Sequence, residues 1–383
     1  MSPLIGDLTE VQRDVQALAR EFAQMEIAPR AAEWNAAHHV PREIFPILAE
    51  AGLFGVAIPE ELGGSGLDHT SLCLVIEQIA RADAGVSVTV AAQNSLVASP
   101  IMRFGTDEQK ERWLCRIASG EVMASYALTE PDAGSDAASL RTVARPVGDG
   151  WTLHGTKTWI TNGGIASLFV VFARTGEGTR GITAFLAEPG DGLVVGREMP
   201  KMGLHTSPTV ELSFDGLAVE SGSRLGDDGQ GFGIALSTLD GGRVVIAAQA
   251  CGIAQAALDV AVQYATERTA FGGPIARFQG VQFPIADIAA RLDAARLLML
   301  HAARLRDAGL PHGPAGAKAK LVASRVAVDA ADVAVQTLGG YGFSSEYPAE
   351  RLYRDAKITE LYEGTSEIQR IVIARALFGD AAR

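Results

Sequence analysis

The spacing of apolar residues changes twice along this chain, and that constrains its fold more tightly than any other feature. Up to about residue 122 the apolar side chains recur at helical intervals, as in Leu72, Val75, Ile76 and Ile79. From about residue 123 the texture becomes short alternating or β-branched runs between Gly, Asp and Pro: MASYALTE, WTLHGTKTWIT, SLFVVFART, GITAFLAE and TVELSFDGLAV. From Gly231 onward it is helical again, in longer stretches. Apolar helix stripes and strand faces must each be buried against further elements. The spacing therefore predicts a multidomain α and β chain: an N-terminal α-helical domain over 1–122, a middle β-barrel or sandwich domain over 123–230, and a C-terminal four-helix bundle over 231–383.

Within the first segment, Thr9-Glu10-Val11 opens an amphipathic run through Ile27 that Pro29 stops, and Pro41 and Glu43 start another that ends at Ala51-Gly52. Ser71–Ala82 is a third helix, and Thr106-Asp107-Glu108-Gln109 opens a fourth with acids in its first turn. Five or six helical elements are expected there. The bundle helices are predicted at Gly231–Glu267, Phe278–Ala308, Pro314–Leu338 and Tyr347–Phe378, with Gly-rich joints between them.

Charge narrows the function. A net charge of −12 disfavours nucleic-acid binding, which wants a basic footprint, though a few local Arg residues can still hold phosphates. The three cysteines, Cys73, Cys115 and Cys251, follow no metal or disulfide pattern, so a cytoplasmic setting is expected. The first residues carry acids and no apolar core, so no secretory signal is expected. Val244–Ala261 is the most apolar stretch, but Gln249, Gln255 and Asp259 interrupt it, so we expect a buried helix and no membrane span.

The motif with the most chemistry is Leu361-Tyr362-Glu363-Gly364-Thr365-Ser366-Glu367. Glycine beside a carboxylate lets a ligand approach, and apolar surroundings would raise the pKa of Glu363 toward that of a general base. A solvated Glu at the start of an amphipathic helix capped by Thr365 fits the same residues. Tyr126-Ala127-Leu128-Thr129-Glu130-Pro131-Asp132-Ala133-Gly134-Ser135 is a strand end running into a polar loop, suited either to a ligand or to a plain turn. In Trp159-Ile160-Thr161-Asn162 the Trp and Thr share a strand face, so an indole could cover a flat ring while a hydroxyl bonds its edge; a core Trp is the alternative. Asp240 and Arg243 are spaced as a helix-surface pair. Arg268 is a fork donor suited to pyrophosphate or to a helix C-terminus, and Gln336-Thr337-Leu338-Gly339-Gly340 ends a helix as an ordinary cap would. Gly176-Glu177-Gly178-Thr179-Arg180-Gly181 matches a dinucleotide fingerprint, yet a strand follows it where a helix is required, so it is expected to be a hairpin loop.

With these motifs in this order, essentially the whole chain resembles the acyl-CoA dehydrogenase family, flavoproteins that oxidise acyl-CoA thioesters to 2-enoyl-CoA. The resemblance implies that Glu363 is the catalytic base. It implies FAD contacts from Tyr126, Leu128, Thr129, Gly134, Ser135, Trp159, Ile160 and Thr161. Arg268, Phe271, Gln279, Gln336, Gly339, Gly340, Thr365 and Glu367 would reach an FAD shared across a subunit boundary, in a homotetramer. Ser135, Asp240, Arg243, Tyr362 and Gly364 would meet the acyl-CoA, and an electron-transfer flavoprotein would take the electrons. Some members carry the catalytic Glu at the position of Gly242; this chain has Gly242 and Glu363, the commoner arrangement. Many relatives have Arg where His205 stands. The acyl pocket would be floored around Ala91–Leu96 and near Leu239, and Asn94-Ser95-Leu96 with Phe278–Gln282 resembles short-chain or short/branched-chain members. Two other readings use the same scaffold: an oxidase or carrier-protein enzyme, distinguished by stoichiometric peroxide, and a non-catalytic DNA-associated flavoprotein, distinguished by salt-sensitive duplex binding.

Overall fold

The computed structural model describes residues 8–382. Seven α-helices precede the sheet: α1 Glu10–Phe22, α2 Ala31–Ala37, α3 Ile44–Glu50, α4 His69–Ala82, α5 Ala84–Ala91, α6 Ser99–Phe104 and α7 Asp107–Ala118. Local chemistry sets their starts. Thr9 and Thr106 each build a capping box with the Gln three residues on, while Asp68 and Asp83 cap α4 and α5. A π-helical stretch, Ala92–Ala98, joins α5 to α6. The spacing argument expected five or six elements because it has no signal for Ala84–Phe104: α5 is buried on every side and shows no polar stripe.

The middle of the chain forms one eight-stranded sheet. Its strands are β1 Ala124–Ala127, β2 Val143–Val147, β3 Gly150–Thr161, β4 Leu168–Arg174, β5 Ile182–Ala187, β6 Leu193–Val195, β7 Thr209–Val219 and β8 Arg224–Leu225. The order is β6-β7-β3-β2-β4-β5-β8, with β1 parallel to β4. β2 and β4 pair at a single register position, Val143 with Arg174, and there the sheet opens. The β3–β7 wing and the β4–β5 wing then bury Leu153, Leu212 and Phe214 together with Phe169, Val171 and Phe185. The alternate residues of β4, Leu168, Val170 and Phe172, pack instead with Ile101, Leu114 and Ile117 of the N-terminal helices. The fingerprint-like Gly176–Gly181 is a turn between the antiparallel β4 and β5, as its sequel indicated.

Four long elements were expected after residue 231, and three have that form: α8 Gly231–Glu267, α9 Gln279–Asp307 and α10 Gly313–Leu338. The fourth does not. The expected Tyr347–Phe378 helix is two helices, α11 Pro348–Ile358 and α12 Ser366–Phe378, broken by a turn that carries Glu363. Gly364 at φ +93° cannot continue a helix, and Thr365 caps the next one by accepting from Ile368 N. α8 is long and apolar enough to cross a membrane, but most of its apolar span is buried inside the protein. Gly252 lets it lie close to α4, where a Cβ would collide with the Glu77 carbonyl. Arg296 of α9 donates to Glu77 of α4 and Gln255 of α8, both at 2.6 Å. Asp307 accepts from the first amides of α4. The first helical segment and the bundle thus share one hydrophobic core.

Candidate active site

The turn between α11 and α12 is tightly tied. Leu361 N and Tyr362 N donate to Ile358 O at 2.8 and 3.1 Å, and Ser366 N donates to Glu360 O at 2.9 Å. Between these bonds Glu363 has φ +50°, a left-handed conformation rare for a non-glycine residue. Only six described non-glycine residues share positive φ, and Trp159 and Phe271 are two of the others. Such backbone persists where the surroundings over-determine it, which happens disproportionately at functional sites.

Glu363 as a whole is half-buried, but its Oε2 is enclosed and has no hydrogen-bond partner. Gly242 of α8 faces that oxygen so closely that a Cβ there would collide with it, and would touch Leu96 at 3.4 Å. Burial pushes the Glu363 carboxyl up to about 7, with the positive charges of Lys320 and Arg243 pulling the other way. Among the described residues no acceptor takes the Glu363 N–H. Tyr362 donates its hydroxyl to Gln249 Oε1, and Gln249 Nε2 in turn bonds Ala84 O at 2.8 Å and Ser87 Oγ at 3.1 Å. Tyr126 stands at the edge of the same field: burial and the Glu363 charge raise its phenol well above the usual value. Arg243 is buried, pairs with Asp240 one turn back, and leaves its own Nε unpartnered. An enclosed carboxylate, bare of donors and beside small and apolar groups, is equipped to take a proton from a carbon acid.

The strand that carries the Trp159 motif breaks register with β7 between Lys157 and Ile160. Its neighbours Thr158 and Ile160 are buried, yet Trp159 is 56% exposed. An indole uncovered among buried neighbours offers a flat apolar face. The Thr129 carbonyl accepts from Thr158 N at 2.9 Å, which ties the Leu128–Ser135 loop beside it. Gly134 has open space around it and Ser135 is exposed. That loop is anchored by a residue the motif reading left unassigned, Lys157. Lys157 is fully buried and donates to Leu128 O at 3.0 Å and Glu130 Oε1 at 2.7 Å. Glu130 also accepts from Arg141 N and Thr142 N. Burial lowers the Lys157 ammonium to about 8 despite the Glu130 carboxylate. Nothing in sequence distinguishes such a lysine from a surface one, and Gln249 was legible only as an interruption of an apolar run.

The remaining predicted residues form a second, exposed group. Arg268 follows α8, with its guanidinium 5.9 Å from the centre of the Tyr341 ring. Phe271 is 90% exposed, and Gln279, Gln336, Gly339 and Gly340 are exposed as well, whereas Thr365 and Glu367 lie at the start of α12, directly after the Glu363 turn. At a rise of about 1.5 Å per residue, α8 puts Arg268 roughly 38 Å from Arg243. Within one chain the Arg268 end of α8 is therefore not brought to the Glu363 turn.

Models of three parts of a single family match the chain in order: the acyl-CoA dehydrogenase N-terminal domain over 9–121, the middle domain over 125–217 and the C-terminal domain over 229–378. This chain belongs to the acyl-CoA dehydrogenase family. It is 46% identical to the mitochondrial short-chain specific acyl-CoA dehydrogenase of Bos taurus over 371 residues, which is 96% of this chain and 90% of that one. Butyryl-CoA dehydrogenase from Megasphaera elsdenii superposes with a TM-score of 0.95 at 44% identity, over 97% of this chain and 99% of that one. A chain in the structure described as the electron transferring flavoprotein of Acidaminococcus fermentans, concerned with flavin-based electron bifurcation, superposes at 0.96 with 47% identity, over 98% and 99%. As an acyl-CoA dehydrogenase, the chain keeps its glutamate at 363 and a glycine at 242. His205 stacks on His38 with ring centroids 3.6 Å apart and bonds Lys201 O at 3.0 Å.

Proposed function

We propose that this acyl-CoA dehydrogenase oxidises short-chain acyl-CoA thioesters to 2-enoyl-CoA with Glu363 as the base. The observation that carries this is the enclosed, unpartnered Glu363 Oε2 against Gly242, with a carboxyl that titrates at about 7. Glu363 takes the α-proton of the thioester. The unclaimed Glu363 N–H is available to a thioester carbonyl, where a donor gains strength as enolate charge develops. Arg243 and Asp240, beside the turn, meet the CoA arm, with Ser135 on the opposing loop; Tyr362 and Gly364 line the acyl end. Leu96 and the Tyr362–Gln249 bond bound the pocket, in keeping with the short-chain activity that the Bos taurus and Megasphaera elsdenii relatives carry in their names.

The cofactor we propose is FAD, which when bound accepts the β-hydride. The uncovered Trp159 face and the open Gly134–Ser135 loop fit an isoalloxazine and a phosphate; Tyr126, Leu128, Thr129, Ile160 and Thr161 border them. The Arg268, Phe271, Gln279, Gln336, Gly339 and Gly340 group fits the far end of the dinucleotide of a second copy, because the length of α8 keeps it from its own chain's turn, while Thr365 and Glu367, which follow Glu363 directly, would meet the FAD at the turn itself. A homotetramer follows as the proposed assembly, an electron-transfer flavoprotein as the proposed acceptor, and the cytoplasm as the proposed setting. Glu363→Gln tests the reading: it keeps bound flavin and loses reduction by butyryl-CoA. Reduction at the wild-type rate in that variant would sink it.

A further inference from the structure

The turn that carries Glu363 is closed from behind by α10, through a residue with no assigned part in the chemistry. Lys320 is 1% exposed. Its ammonium does not seek a carboxylate. It donates to the carbonyl of Thr359 at 3.0 Å and to that of Gly364 at 2.7 Å. These carbonyls lie at the two ends of the turn: Thr359 closes α11, and Gly364 follows Glu363 directly. Two neutral donors share the work. Ser324, one turn further along α10, donates to Thr359 O at 2.8 Å, and Gln369 of α12 donates to Gly364 O at 2.7 Å. Left-handed backbone is unfavourable for a residue that carries a Cβ, so the turn at Glu363 must be held from outside.

A lysine that merely caps a helix end would need one carbonyl and could keep its charge in water. Burying an ammonium is costly, and a methionine of similar length would fill the space without that cost. What the ammonium adds is a positive charge behind the carboxylate, held below about pH 8, the value to which burial lowers it. The charged and titratable groups that face Glu363 are Lys320 from α10, Arg243 from α8, Tyr126 from β1 and Tyr362 in the turn itself. Lys320 also feels Arg243 and Glu360. Of the two cations Lys320 acts on Glu363 more strongly, and Arg243 is already paired with Asp240.

We propose that Lys320 is the positioning residue of the base: by tying the Thr359 and Gly364 carbonyls it fixes the left-handed turn at Glu363, and it holds the positive charge that keeps the carboxylate ionised for proton abstraction. This rests on the reading of Glu363 as the base. The test therefore uses one readout that needs no turnover. The protonation midpoint of Glu363 is followed by its infrared carboxyl band, assigned by its loss in Glu363→Gln, alongside the pH profile of kcat/KM.

Lys320→Gln, which keeps a donor and loses the charge, is expected to raise the midpoint by about one pH unit, and the acid limb of kcat/KM moves with it. Lys320→Met gives the same shift and also lowers kcat on the order of tenfold at pH above both limbs, because the turn is no longer held. Lys320→Arg keeps the wild-type midpoint. Ser324→Ala removes a neutral donor from the same Thr359 carbonyl and leaves the midpoint in place. An unmoved midpoint in Lys320→Gln overturns the proposal even if stability falls, and so does a Lys320→Arg midpoint displaced as far as that of Lys320→Gln. A wild-type protein whose Glu363 titrates near neutrality but which does not oxidise acyl-CoA defeats the catalytic reading alone, since the infrared midpoints remain interpretable.

Discussion

At the scale of single residues, Glu363 depends on what its neighbours lack. Gly242 has no Cβ, Leu96 offers no donor, and Oε2 has no partner. Because burial raises the carboxyl to about 7, the base is protonated and idle below that value. We expect kcat/KM to fall tenfold per pH unit on the acid side with a limb near neutrality; a limb in the ordinary carboxylate range contradicts the burial argument. The same shift carries a stability sign. A raised folded pKa means that stability is lost as pH rises from the ordinary carboxylate value through about 7. Flavin-free Glu363→Gln should thus melt above wild type in alkaline buffer, with the gap closing in acid. Gly242→Ala places a methyl on Oε2 and should cost on the order of a hundredfold in kcat with little loss of thermal stability; wild-type kcat in that variant would show that the glycine is dispensable. The flanking aromatic and glycine alone suit a solvated Glu as readily as a base at 363, and it was the resemblance of the whole chain to a family that pointed to the base. The grounds for its pKa were not legible, because Gly242, Leu96 and Lys320 lie far from it in sequence.

At the scale of elements, the site occupies places where regular structure stops. The α11–α12 turn, the β3 register break at Trp159 and the residues after α8 at Phe271 each hold a non-glycine residue at positive φ. Helical periodicity is continuous enough across Tyr347–Phe378 to suggest one helix. Gly364 followed by a Thr cap was the local sign of the break, and a stop-and-restart reading of Gly-Thr would have found it. The three long helices were legible to within a residue or two because their apolar faces and Gly-rich ends agree. The all-buried α5 was not, because it has no polar face to mark a period. The Leu128–Ser135 loop depends on the Lys157–Glu130 pair, enclosed on both sides. Lys157→Met leaves Glu130 charged and uncompensated, and should destabilise by about 3–5 kcal/mol while weakening flavin retention. Denaturant unfolding checks this, and a variant as stable as wild type would show that the loop is held by its amides alone.

At the scale of the whole molecule, one core joins the N-terminal helices to the bundle, and the sheet packs its outer β4 face on those helices. That arrangement leaves the Arg268 end of α8 far from the turn. It also leaves Phe271, Phe343 and Phe378 exposed. We expect a native mass of four chains by light scattering, and Arg268→Glu to release flavin while leaving the Glu363 turn intact. A flavin-bound monomer would remove the case for a shared site. The most direct test of the central claim is the visible spectrum of the purified protein, followed anaerobically as butyryl-CoA is added. We predict a flavin absorbance that bleaches promptly with short acyl-CoAs in wild type and stays oxidised in Glu363→Gln. A flavin that remains oxidised in wild type with every thioester would contradict the account.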